Sequence, residues 1–109
     1  KYDKYEDFPG DAKVIMQKVG EGMAVSLGTR LAFIATQGGS PQEVADEYEK
    51  FFVGLSPNAI AQEMGKDEPD GSVTLISDAL KEGVTGSLKS QEAGSPWLTP
   101  EVVELLSPQ

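Results

Sequence analysis

GEGMAVSLG, residues Gly20 to Gly28, decides the fold. Its glycine density suits either a loop that cradles a phosphate or the middle of a long helix. As a dinucleotide loop it is poor, because Gly20-x-Gly22 is followed by Val25 where a third Gly or Ala belongs, and no parallel-strand unit surrounds it. As a helix it fits its neighbours. From Asp11 onward Ile15, Val19, Met23, Leu27 and Leu31 recur every four residues, and beside them runs a second row of small residues, Gly20, Ala24, Gly28 and Ala32. Such a row lets another helix backbone approach closely, within the domain or across a dimer. A strand reading fails on Lys13 to Val19, where apolar and charged residues share both sides. The cost lies in propensity, since each interior glycine disfavours helix by about 1 kcal/mol relative to Ala. A hairpin turning at Glu21 is the alternative.

Outward from this segment the punctuation is clear. Gln37-Gly38-Gly39 ends the helix, and Ser40-Pro41-Gln42-Glu43 opens the next with a capping Ser, Pro at the first helical position and Glu three residues after the cap. Val44, Tyr48, Phe51, Phe52 and Leu55 then turn inward over about residues 41–54, and the two helices are expected to form an antiparallel hairpin. Ser56-Pro57 starts a short third helix that Gly65 ends. Asp70 or Ser72 caps a fourth, running to Gly83, although Val73 to Ile76 is β-branched enough for a short strand. Thr99-Pro100-Glu101 begins a last one.

The expected architecture is therefore mainly α: a small helical domain built on a long-helix hairpin with two or three short helices and an N-terminal extended arm. Residues 1–10 form the arm, 11–83 the helical core domain, 84–98 a flexible segment that carries Trp97, and 99–109 a short C-terminal helix.

Composition narrows the chemistry. The 109 residues suffice for one core without disulfides or metal, and the chain contains neither cysteine nor histidine. Thiol nucleophiles, histidine bases and zinc sites built on those residues are thereby excluded. Lack of cysteine is compatible with the cytosol and with many secreted bacterial proteins alike. The start at Lys1 suggests a processed or trimmed N-terminus. The longest apolar-leaning run, Met23 to Thr36, contains Arg30 and falls short of the ~20 apolar residues that span a bilayer.

The net charge of −9 resides wholly in residues 39–109, because residues 1–38 are balanced. Acidity of this kind repels phosphate backbones, so no direct nucleic-acid contact is expected. It suits a basic protein partner. Glu43, Asp46, Glu47, Glu49, Asp67, Glu68 and Asp70 form the candidate acidic face. A calcium loop in KDEPDGS is disfavoured: with Gly71 at the sixth position of an EF-hand, position one is Lys66 and position twelve is Ser77.

Trp97 and Leu98, between Pro96 and Pro100, and Tyr2, Tyr5 and Phe8 of the arm are the candidate partner-binding residues, since aromatic side chains dominate interface energies. Trp97 has a second reading, as a lid folded back on the core. The leading functional expectation is a non-enzymatic protein–protein interaction or assembly module, with homo-oligomerisation among its modes and no cofactor. Small accessory proteins of phages and bacteria share this make-up. An acidic inhibitor or nucleic-acid mimic and a small carboxylate-dependent enzyme are the alternatives.

Overall fold

After the first helix, the helix starts are written in capping residues. In the computed structural model, which describes residues 9–91 and 95–106, five helices follow one another: α1 (Gly10–Thr36), α2 (Pro41–Val53), α3 (Pro57–Glu63), α4 (Gly71–Gln91) and α5 (Pro100–Leu106). Ser40 closes a full capping box, its Oγ accepting from the Glu43 N–H while its own N–H donates to Glu43 Oε1. Ser56 Oγ accepts from the Ala59 N–H, Asp70 Oδ1 from the Val73 N–H and Thr99 Oγ1 from the Val102 N–H. Gly38 and Gly65 follow α1 and α3 with positive φ, the backbone state that a glycine cap accepts without strain.

The mainly helical fold expected from the sequence is present, and no strand occurs among the described residues. GEGMAVSLG lies inside a continuous 27-residue helix. Val73 to Ile76 is also helical, its β-branched residues lying beyond the Asp70 cap and its Val73 and Leu75 buried.

Three expectations change. First, the long hairpin is made by α1 with α4; the α1–α2 contact across Gly38-Gly39 is secondary. The reason is length and fit, since α4 has 21 residues against 13 for α2 and brings Gly83 to the α1 backbone. Second, α4 runs through Val84 to Gln91, a stretch expected to be flexible. Val84 and Leu88 are buried there, and that tertiary burial outweighs the weak propensity of Gly83 and Gly86. Third, the Ile15-Val19-Met23-Leu27-Leu31 row is not one buried face. A four-residue step overshoots a full turn by about 40°, so five such residues wind through about 160° of the helix surface. Leu27 and Leu31 end up inside while Ile15 and Val19 stay exposed.

The core gathers Ala24, Leu27 and Leu31 of α1, Val44 of α2, Leu55, and Leu80, Val84 and Leu88 of α4, with Trp97 and Val102 closing one end. Tyr48, Phe51 and Phe52 pack against it, the Tyr48 and Phe52 rings 4.9 Å apart. Ser77 is the one buried polar side chain among the described residues; its Oγ donates to the Leu55 carbonyl at 2.6 Å and ties α4 to the α2–α3 corner. The molecule is elongated, 46 × 27 × 25 Å.

Candidate functional site

The small-residue row on α1 packs inward. Gly20, Ala24 and Gly28 are buried and Ala32 is half-buried. A Cβ on Gly20 would fall against the carbonyl oxygen of Leu80, and one on Gly83 against the carbonyl oxygen of Gln17. These reciprocal contacts set α1 and α4 antiparallel at backbone contact distance. Gln17 Nε2 donates to Glu82 Oε1 at 2.8 Å along the same seam. The row therefore joins two helices of one chain.

The opposite face of α1 is apolar and exposed. Val14, Ile15, Val19, Val25 and Phe33 all lie open to solvent, Val25 at 60% and Phe33 at 64%. At 100° per residue Ile15, Gly22, Ser26 and Phe33 lie close to one line along the helix, with Val19 to one side and Val14 and Val25 to the other. Nothing lies within 4 Å of the place a Gly22 Cβ would occupy. Lys18 lies within this face, between Ile15 and Val14; exposed Glu21 borders it beside Val14 and Val25, and Arg30, paired with Glu47, borders it on the other side. Sequence reasoning assigned Ile15 and Val19 to the core and missed Val14, Val25 and Phe33. The signal that finds them is that apolar residues surround the whole of α1, more than one packed face can use.

Trp97 belongs to the core. It is 3% exposed, lies 6.2 Å from the Tyr48 ring and, with Gly39, Pro41, Val44 and Val102, lines a cavity of about 100 Å³. Its indole Nε1 is buried without a hydrogen-bond partner among the described residues. The reading of Trp97 as an outward anchor is thus corrected to its alternative, a lid on the core, because its indole packs beside Tyr48 and Val44 of α2. Leu98 is half-buried against the same cluster. Tyr2, Tyr5 and Phe8 lie outside the described residues.

The acidic candidates do not form one face. Glu43 is spent in the α2 cap, Asp46 accepts from Gln42 Nε2 at 2.7 Å, Glu47 pairs with Arg30 at 3.0 Å, and Asp70 caps α4 while pairing with Lys66 at 3.0 Å. Glu49, Asp67 and Glu68 remain exposed, the first on α2 and the others in the α3–α4 loop. Among the described residues no three acidic side chains converge as metal ligands would.

Two shallow grooves flank α2. One, of about 430 Å³, is lined by Met23, Leu27 and Phe51 together with the Arg30–Glu47 pair and Lys50. The other, of about 460 Å³, is lined by Tyr48, Glu49, Phe52, Val53 and Thr85. Burial raises the Tyr48 phenol above the ordinary tyrosine value. No helix among the described residues is long and apolar enough to cross a membrane. Compared with known protein families, curated proteins and solved structures, the chain matches none of them.

Proposed function

We propose that this protein is a non-enzymatic interaction module that engages another protein through the outward face of α1. One observation carries the reading: a 27-residue helix holds its own fold together with one face and turns a second apolar face, from Val14 to Phe33, to solvent. Scattered apolar residues on a surface need no explanation, but five large ones on the outward side of one rigid element support a contact surface. The class of function is the one composition suggested; its location moves from Trp97 to α1.

The test is photo-crosslinking from a benzoylphenylalanine placed at Phe33, with one at the exposed Asp78 of α4 as control, in the cell of origin. A discrete protein adduct from position 33 and none from position 78 is the expected result. Absence of any adduct from position 33 would overturn the reading.

A further inference from the structure

We propose that residues 95–106 form a lid that opens from α2 as a unit while the α1–α4 hairpin stays folded. Independently of the outward face of α1, the core is fastened unequally. The α1–α4 seam closes at backbone contact distance, with Gly20 against the Leu80 carbonyl and Gly83 against that of Gln17, and the Gln17–Glu82 hydrogen bond runs along it. The buried Ser77 hydroxyl ties α4 to the Leu55 carbonyl as well.

The lid is held differently. α5 meets the rest of the fold chiefly through α2. Three hydrogen bonds of the segment close on the segment itself: the Leu98 N–H donates to the Ser95 carbonyl, the Val102 N–H to Thr99 Oγ1 and the Val103 N–H to the Thr99 carbonyl. Those bonds shape the lid without attaching it. Attachment falls to apolar contact, from buried Trp97 and Val102 and from half-buried Leu98 and Leu106.

Closure also carries two costs that opening relieves. The indole Nε1 of Trp97 is buried with no hydrogen-bond partner among the described residues, so on closing it gives up water and gains no bond in return. The fit is also loose. A cavity of about 100 Å³ lies between Trp97, Thr99 and Val102 of the lid and Ala35, Gly39 and Val44 of the body, and the atoms around such a gap forgo contacts that a close-packed core supplies.

Length makes the segment one unit. α5 has seven residues, too few to persist as an isolated helix in water, so undocking and unwinding go together. Val103 and Leu105, on its exposed side, add little to the attachment. Opening uncovers an apolar site on α2, around Val44 and Tyr48, that the closed molecule hides.

Trp97 is the single tryptophan of the chain, so its fluorescence reports the lid, while far-UV circular dichroism reports mainly α1 and α4. In urea the wild-type emission should shift to the red before the helical signal falls, giving two separate midpoints. Native-state hydrogen exchange resolves the same event by site. The Trp97 indole and the Val103 amide should exchange through a smaller opening, with weaker urea dependence, than the Val84 amide. Val102→Asp places a charge under the lid. Its Trp97 emission should be red-shifted without urea, with all but about a tenth of the helical signal kept, the share that α5 contributes.

Coincident emission and dichroism midpoints would overturn the lid. So would a Val103 amide that exchanges with the free energy and urea dependence of Val84, or a Val102→Asp chain that unfolds throughout.

Discussion

At the scale of single residues, glycines decide how closely α1 and α4 approach. A methyl group at Gly20 or Gly83 meets backbone carbonyl oxygen, which cannot swing aside as a side-chain tip can. Gly20→Ala and Gly83→Ala should each lower stability by about 1–3 kcal/mol, the range for overpacking a tight contact. Gly86→Ala, with nothing within 4 Å, should raise it by up to about 1 kcal/mol. Urea unfolding of the three variants separates these signs. Ser77→Ala leaves the buried Leu55 carbonyl without its 2.6 Å donor, and a loss of about 1–3 kcal/mol is expected by the same measurement. Tyr48 contributes a pH dependence. Its folded pKa lies above the unfolded value of about 10, so between the two the folded state holds the proton more tightly. That contribution is complete below the unfolded value and is lost as pH rises from there through the folded one. Tyr48→Phe should flatten the alkaline decline in a series of melts.

At the scale of elements, the helix starts were legible because Ser40, Ser56, Asp70 and Thr99 act through local hydrogen bonds that depend on nearby residues alone. Ser40→Ala should accordingly lower stability by about 1 kcal/mol, read from its urea midpoint. Pairing was less legible. Val84 and Leu88 look too sparse among Gly83, Gly86 and Ser87 to sustain a helix, and only their burial in the cluster that holds Trp97 and Leu27 makes the segment helical. The four-residue rows on α1 misled for a geometric reason, since a row at that spacing winds around the helix and cannot stay on one face. Trp97 was legible as important but not in which direction it points, because its burial depends on a tertiary contact with α2 that local sequence does not specify. Trp97→Ala should lower stability by about 3–5 kcal/mol, and Trp97→Phe by less, since Phe keeps much of the volume and removes the unpartnered indole donor.

At the scale of the whole molecule, five of the exposed large apolar side chains gather on α1. Net negative charge follows residues 39–109, while the longest exposed apolar strip lies on α1, within the balanced first third of the chain. The acidic-mimic reading loses ground at this scale because four of its seven carboxylates serve caps, ion pairs or side-chain hydrogen bonds. On the proposed reading α1 works with two faces, one against α4 and one against another protein. Radical footprinting of Phe33, in the dilute chain and in the chain inside its cell of origin, measures the second face directly. Phe33 should oxidise readily when dilute and be protected in the cell, with half-buried Phe52 unchanged between the two; equal oxidation of Phe33 in both settings would contradict a working outward face.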